Sequence, residues 1–457
     1  MQDLRGKTLR TTFVHAPVSG SIDCAENALI TIDADGVIAD VLRLGFAGYD
    51  AALEGAKADG TLVTLEPGRL LLPGFVDLHL HAPQWPQLGR ALDVPLETWL
   101  QQYTFPLEAR YSDEAFAAAV YSELVEGLLA NGTTTAVYFA TIHQKATRIL
   151  AETCLKRGQR AVIGRVAMDN PAQCPDFYRD ADAKTAVSET ERFIAFVRSM
   201  PGNEDGLIMP AVTPRFIPSC TDEALEGLGE LAQKHACHVQ THCSESDWQH
   251  GYVHERYGCS DTEALDRFGL LTRHSVLAHC AFLSETDMDL IHERGGGVAH
   301  CPYSNFYFSN AVFPLRRALE KAVRVGLGTD ISGGPSASMF DSCRHAIVAS
   351  RALEEGVDPD LARDDRQRPN SRIDFRTALH LATAGGADVL DLPTGRFEKG
   401  MAFDAIVIDP ANPAAPLPVA ETVGNTEELA QAVVMLATRT NVERTFVAGQ
   451  LRHGTPI

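Results

Sequence analysis

The sequence contains no uncharged apolar run of about 18 residues, the length that a membrane-spanning helix needs. Its first residues, MQDLRGKTLRTTF, also lack the apolar core of a signal peptide. Positive charge is scarce, since 40 Lys and Arg residues stand against 60 Asp and Glu residues and give a net charge of −20. Because phosphate groups are bound by basic surfaces, this balance argues against nucleic acids and anionic membranes as partners.

The ten cysteines are irregularly spaced, and no C-x-x-C pair occurs among them. In a chain of 457 residues this indicates reduced thiols rather than a disulfide framework, so we expect a cytoplasmic protein. Hydrophobic residues make up 45% and charged residues 22%, which is typical of a soluble globular protein. The length allows one large α/β barrel with a smaller domain, or two to three ordinary domains.

Short strand patterns occupy both ends of the chain, and alternating strands and helices lie between them. The terminal strands include 28–32 and 37–41 around a hairpin turn, 404–408, and a last hairpin near 444–450. The central strands are predicted at 73–81, 133–141, 161–168, 207–213, 238–242, 275–278, 297–300 and 324–329. Eight strands that alternate with helices pair in parallel and close into a barrel. A doubly wound open sheet is the alternative, but no G-x-G-x-x-G motif follows the first strand.

The predicted architecture is therefore α/β, with two structural domains. A (β/α)8 barrel is expected over residues 72–390. A small β-sandwich domain is expected from the two chain ends, residues 1–71 and 391–457.

The first barrel strand ends in two histidines, His79 and His81, spaced i, i+2. Alternate side chains of a strand point to the same face, so the two imidazoles project together. Such a pair is half of a transition-metal site, although an isolated H-x-H is more often two incidental polar residues. The remainder of the chain decides between these interpretations.

Four further predicted strands also end in residues that can bind a metal or transfer a proton: His242, His279, His300 and Asp330. Active sites of barrels lie at the carboxyl ends of the strands. Each residue alone would more often have a structural role, but the set as a whole indicates a metal centre. Imidazoles combined with a carboxylate suit zinc or ferrous iron rather than magnesium or calcium.

A divalent cation in such a site lowers the pKa of its water to about 7, and a carboxylate must then move protons. Glu245 lies three residues beyond His242, where it can face the metal without binding it. The alternative for Glu245 is a structural acid at a helix N-terminus.

With these residues in place, the sequence resembles the metal-dependent amidohydrolase superfamily and, more narrowly, the guanine deaminase family. The resemblance covers essentially the whole chain. It is carried by the site residues and by the runs His81–Gln84, Leu92–Leu96, Trp99–Leu100, Tyr103–Glu108, Thr213–Phe216, Thr241–Glu245, His300–Asn305, Gly326–Gly334 and Gly395–Asp409.

The resemblance implies one zinc ion per chain, with ferrous iron as the alternative, held by His79, His81, His242 and Asp330. It implies that Glu245 moves protons, that His279 orients the attacking water, and that Asp330 acts as its base. The residues implied to contact guanine are Gln84, Trp85, Arg215, Phe216 and His242. Trp85 departs from the smaller aromatic residue that is usual in the family.

The expected activity is hydrolysis of guanine to xanthine and ammonia in purine catabolism, by a homodimer. The first alternative is a related amidohydrolase that acts on another aminopurine or on a triazine ring, because one metal site serves many substrates. The second is a barrel kept as a non-catalytic interaction module, which loss of ligands would mark, and none is missing. The Cys-rich class of zinc deaminases is excluded, since the chain has neither C-x-x-C nor a Pro-Cys dipeptide.

Overall fold

A computed structural model of the protein describes residues 3–418 and 424–457. In chain order its strands are β1 (Lys7–His15), β2 (Asp23–Ile32), β3 (Ile38–Leu42), β4 (Leu62–Thr64), β5 (Leu70–Pro73), β6 (Phe75–His81), β7 (Thr133–Phe139), β8 (Arg160–Ala167), β9 (Ile208–Pro214), β10 (His238–Cys243), β11 (Ser275–His279), β12 (Gly297–His300), β13 (Arg324–Leu327), β14 (Ala405–Ile408), β15 (Val442–Val447) and β16 (Gln450–Gly454).

The longer helices occupy Tyr49–Ala58, Glu114–Ala130, Gln144–Arg157, Ala183–Arg198, Asp222–His235, Asp247–Tyr257, Asp261–Arg267, Glu285–Arg294, Met339–Glu355 and Thr426–Leu436. Shorter α-helical segments are Leu96–Trp99, Phe105–Ala109, Pro302–Ser304, Leu315–Glu320, Arg363–Arg366, Phe375–His380 and Gly386–Val389. Turns of 3₁₀ helix lie at Ala82–Gln87, Arg110–Ser112, Ile217–Ser219 and Arg439–Asn441, and turns of π helix at Leu100–Thr104, Asn305–Ser309 and Leu381–Gly385.

Strands β6 to β13 form a parallel barrel in which each strand neighbours the next one in sequence, as predicted. Their residues are buried on both faces, because helices cover the outside and side chains fill the inside. The barrel closes just beyond β13. There the Asp330 amide donates to the His79 carbonyl (2.8 Å), and the His81 amide donates to the Ile331 carbonyl (2.8 Å). First and last strands are thus joined at the predicted metal ligands themselves.

The two chain ends form one mixed sheet, in the order β16-β15-β14-β5-β1-β2-β3 with β4 beside β1. The antiparallel pair of β5 and β14 joins the N-terminal strands to the C-terminal strands. A single hydrophobic cluster contains Leu9 of β1, Ile38 of β3 and Leu451 of β16, so the sheet curls over its own core. The prediction of a separate β-domain built from both ends is confirmed.

Asp404, at the start of the last strand group, connects this sheet to the barrel. Its buried carboxylate accepts hydrogen bonds from the Arg160 guanidinium (3.2 Å), the Thr394 hydroxyl (3.1 Å) and the Ala448 amide (2.8 Å). Arg160 is the first residue of barrel strand β8. The Asp404 carboxylate therefore links the terminal sheet to the barrel.

The helix Glu114–Ala130 is absent from the sequence-based assignment, although it is among the longest in the protein. It is buried on most of its circumference, between the barrel and the sheet of the chain ends, where the Thr445 hydroxyl donates to the Leu129 carbonyl. A helix covered on several sides shows no clear apolar period. The helices Tyr49–Ala58 and Thr426–Leu436 lie in end segments where the sequence indicated strands.

None of the helices in the described part of the chain combines the length and the apolar character that crossing a membrane requires.

Candidate active site

The predicted metal ligands meet at the carboxyl end of the barrel, together with His279, which was predicted to orient the water. His79 and His81 belong to β6, His242 to β10 and His279 to the end of β11, while Asp330 follows β13. All five side chains are buried. Residues far apart in sequence thus meet at one edge of the barrel, as the strand-end argument predicts.

The ligand atoms of these residues approach one another in overlapping groups of three, which include His79, His81 and Asp330 as well as His79, His242 and His279. Nε2 of His81 lies 3.0 Å from Nε2 of His242, and Oδ1 of Asp330 lies 3.2 Å from Nε2 of His79 and 3.6 Å from Nε2 of His81. Ligand atoms about 2.1 Å from a tetrahedral zinc ion lie about 3.4 Å from one another. The observed distances bracket that value.

Two of the imidazoles are held in a defined orientation by hydrogen bonds away from these ligand atoms. Nδ1 of His242 donates to the Arg215 carbonyl (2.5 Å), and Nδ1 of His279 donates to Oδ1 of Asn305 (3.0 Å). Each bond leaves Nε2 free to face the centre, which is the arrangement found in metal-binding histidines. Asn305 was overlooked as a functional residue, although it belongs to the run His300–Asn305 that carries the family resemblance.

The histidines are neutral, as metal ligation requires. Burial, and then the neighbouring imidazoles, hold the pKa values of His79, His81 and His242 well below the usual range. Among the described residues, Nε2 of His79 and Nε2 of His279 have no hydrogen-bond partner. Buried nitrogen atoms of this kind are satisfied when a cation binds, so the residues fit a metal ion.

Two carboxyl groups border the centre. Oε1 of Glu245 lies 3.7 Å from Nε2 of His279, and Oδ2 of Asp330 lies 3.9 Å from the same nitrogen. Burial and the nearby charge of Asp330 raise the pKa of Glu245 well above its usual value, and burial also raises the pKa of Asp330. A carboxyl group with a raised pKa can hold and release a proton near neutral pH.

The loops that carry these groups begin with residues in the left-handed region of the backbone. The φ angles are +46° at Ser244, +71° at His279, +55° at Cys280 and +49° at Asp330. Such conformations persist only where the surroundings enforce them. Here the Ser244 amide donates to the buried Asp261 carboxylate (3.0 Å), and the Cys280 amide donates to the Cys243 carbonyl (2.9 Å).

A pocket opens onto the metal-competent centre. It is lined by His81, Gln84, Leu96, Trp99, Leu100, Arg215, Phe216, His242, Glu245, Phe308, Asp330 and Gly333. Trp99 and Phe308 meet above it, with ring centroids 5.1 Å apart. Trp99 immediately precedes one π-helical turn and Phe308 lies in another, and such turns occur frequently at functional sites.

Most residues predicted to contact the substrate line this pocket, but Trp85 does not. Gln84, Arg215, Phe216 and His242 are at its wall. The Trp85 indole instead donates to Oε1 of Glu123 on the helix Glu114–Ala130, with a distance of 3.1 Å. It packs on the outer layer of the barrel because its backbone lies in a 3₁₀ turn that directs the preceding Gln84 inward.

The remaining strand-end candidate, His300, has a packing role. His300 ends β12 and packs against Phe313, at 5.2 Å between ring centroids, outside the metal-competent groups found in the described residues. Cys243 contacts the Thr262 hydroxyl and belongs to the main hydrophobic core.

A third buried carboxylate, Glu108, was not identified from the sequence. It accepts hydrogen bonds from both Arg215 and Gln84. Its run, Tyr103–Glu108, contributed only to the family resemblance.

Comparison with known proteins gives a consistent result. The amidohydrolase family pattern matches residues 70–452. A guanine deaminase of Dictyostelium discoideum is 36% identical over 420 residues, covering 88% of this chain and 89% of that protein. A guanine deaminase of Mus musculus is 34% identical over 448 residues, covering 96% and 95%. The crystal structure of guanine deaminase from C. acetobutylicum with bound guanine in the active site is 29% identical, with a TM-score of 0.85, covering 97% and 99%.

Proposed function

Since this chain belongs to the amidohydrolase family, we propose that it is a guanine deaminase that converts guanine and water to xanthine and ammonia. The observation that carries the proposal is the close approach of His79, His81, His242 and Asp330. The last three line a pocket whose wall also contains Gln84, Arg215 and Phe216. The relatives named above act on guanine by their description.

The proposed metal ligands are His79, His81, His242 and Asp330, with one zinc ion per chain and ferrous iron as the alternative. When bound, such an ion makes water a nucleophile at neutral pH. Imidazole and carboxylate donors suit zinc, and the buried Nε2 of His79, which has no hydrogen-bond partner, supports the assignment.

The pocket residues bind and orient the purine. The ring of Phe216 offers an apolar face to a planar base, while Gln84 and Arg215 offer hydrogen bonds to its edge. The amino group that is removed is on C2 of guanine. The ring therefore enters with C2 towards Glu245 and Asp330, and its O6 edge faces Gln84 and Arg215.

The carboxyl groups move the protons of the reaction. Asp330 accepts a proton from the attacking water, and His279 orients that water through Nε2. Glu245, which holds a proton because of its raised pKa, gives it to the ring nitrogen beside C2. It then takes the hydroxyl proton of the C2 adduct and passes it to the amino group, and the proton that Asp330 took from the water returns to Glu245. A C2–O bond forms, the C2–N bond breaks, ammonia leaves, and the ring carries the second carbonyl of xanthine.

We further propose that the enzyme is a cytoplasmic homodimer of purine catabolism. All ten cysteines are free, which suits a reducing compartment. One surface groove exposes Phe306, Val357 (82% exposed) and Leu361, an apolar patch of the kind that self-association covers. Light scattering coupled to gel filtration measures the oligomeric state directly.

A substrate panel tests the activity. We expect ammonia release and loss of guanine absorbance with guanine, and rates at least about 10⁴-fold lower with adenine and cytosine, because unpaired polar groups in the pocket reject these bases. Zinc is measured on the same sample. Zinc-loaded protein that leaves guanine unchanged, or that prefers a triazine, would contradict the proposal.

A further inference from the structure

The two pocket residues that face the purine edge share one buried partner, Glu108. Its side chain is fully buried on the short helix Phe105–Ala109. Nη1 of Arg215 donates to Oε2 (2.7 Å), Nη2 of Arg215 donates to Oε1 (3.1 Å), and Nε2 of Gln84 donates to the same Oε1 (2.8 Å). Both donors line the pocket, whereas Glu108 lies behind them.

These hydrogen bonds fix the orientation of the Gln84 side-chain amide. Nε2 donates to the carboxylate, which only accepts, and Oε1 accepts from the Ser332 amide (3.1 Å), which only donates. If the amide were flipped, its oxygen would face the Glu108 carboxylate, so two acceptors would meet. Its nitrogen would face the Ser332 amide, so two donors would meet. The Ser332 hydroxyl also donates to Oε1 (3.5 Å), so the amide is held on both sides and the second N–H of Gln84 has a defined direction.

Arg215 is held as firmly, and its charge is balanced. The guanidinium lies 5.0 Å from the centroid of the Phe105 ring, and two of its five N–H groups are used by Glu108. Burial disfavours the charge of Arg215, but the Glu108 carboxylate more than compensates and raises its pKa. The pair carries no net charge and leaves three N–H groups of Arg215 that Glu108 does not use, which suits a neutral purine.

We propose that Glu108 is a positioning residue that orients Arg215 and Gln84 and thereby sets the preference for a purine with a carbonyl at C6. The inference rests on the proposed function and deepens it. Without Glu108, Arg215 would be a buried charge without a counterion, and Gln84 would be free to flip. Ligands that carry the C6 carbonyl and the N1–H should then lose affinity, whereas ligands without them should not.

The test compares two competitive inhibitors that lack the C2 amino group and are therefore not deaminated at C2. Hypoxanthine has the C6 carbonyl and N1–H, and unsubstituted purine has neither. In Glu108→Gln we expect the inhibition constant of hypoxanthine to rise by about 10- to 100-fold, the range for lost hydrogen bonds to charged groups. That of purine should stay within about threefold, and zinc content should equal that of the wild type.

Two further variants sharpen the result. Glu108→Asp keeps the carboxylate but shortens it by one methylene, so it should restore part of the discrimination between the two inhibitors, and it remains informative where Glu108→Gln does not fold. Glu97→Gln, at an exposed position near the pocket mouth, is the matched control and should change neither constant.

Equal weakening of both inhibitors in the Glu108 variants would mean a general packing defect and would overturn the inference, as would unchanged constants. Both outcomes are interpreted only after the wild-type protein has been shown to turn over guanine. Absence of that turnover would instead overturn the proposed function itself.

Discussion

Replacing Glu245 by glutamine isolates its role in proton transfer. Glutamine has nearly the same shape but cannot carry the proton. The loop should keep its conformation, because the Ser244 amide is held by Asp261 and the amide of residue 245 faces Oε1 of Gln249 (3.4 Å). The lost rate therefore measures chemistry rather than misfolding.

The expected size of the effect follows from the composition of the pocket. Glu245 and Asp330 are the only carboxyl side chains at its wall in the described part of the chain, and Asp330 is a proposed ligand, so no group can replace Glu245. General acid–base catalysis contributes about 10²- to 10⁴-fold. We expect kcat to fall by at least about 10²-fold, or about 2.7 kcal/mol of activation free energy.

The assay combines guanine turnover, measured by ultraviolet absorbance, with zinc content on the same preparation. Zinc should be retained, because Glu245 is not among the four proposed ligands. Glu97→Gln serves again as the control, with kcat within about twofold of wild type. Loss of zinc in Glu245→Gln would make Glu245 a ligand or a fold determinant, and turnover near the wild-type level would remove it from the mechanism.

Other substitutions test separate parts of the structure. His81→Ala should lose both zinc and activity, and full activity after exhaustive chelation would refute the metal centre. Arg215→Ala should lower kcat/KM for guanine by about 10- to 150-fold with zinc retained; it should also lower the free energy of unfolding by about 3–5 kcal/mol in urea, because Glu108 is left buried and unpaired. Asp404→Asn should cost about 3 kcal/mol in the same unfolding experiment, and an unchanged midpoint would contradict its role between the domains. His250 lies 3.5 Å from the buried Asp261, and this carboxylate raises the pKa of His250. The pair therefore stabilises the fold fully below the ordinary histidine pKa, and the stabilisation is lost as pH rises through the raised pKa. His250→Asn should therefore lower the melting temperature more at about pH 5.5 than at about pH 9, and equal losses would contradict the assignment.

The cluster of proposed metal ligands could be predicted from the sequence because it follows a local rule. Residues at the carboxyl ends of parallel strands share one edge, so His79, His81, His242, His279 and Asp330 could be placed together once the strands were recognised. The barrel itself follows from the same alternation of strands and helices.

The hydrogen bonds that hold the pocket residues in place could not be predicted in this way. Glu108 contacts Gln84 and Arg215, which are 24 and 107 residues away in the sequence, and no periodicity links them. The direction of the Trp85 side chain could not be predicted for a related reason, because it depends on a 3₁₀ turn that the sequence pattern did not indicate. Contacts between loops are set by packing rather than by local pattern.

The closure of the barrel at Asp330 has a consequence for the order in which this enzyme matures. His79 and His81 leave the ribosome about 250 residues before Asp330, an interval of about 12–50 s at ordinary rates of synthesis. Throughout that time the two imidazoles lack both the carboxylate and the backbone bonds from Asp330 and to Ile331 that complete the barrel. We therefore expect metal to bind only after β13 has been translated, and we expect a truncated chain that ends before this strand not to retain the ion.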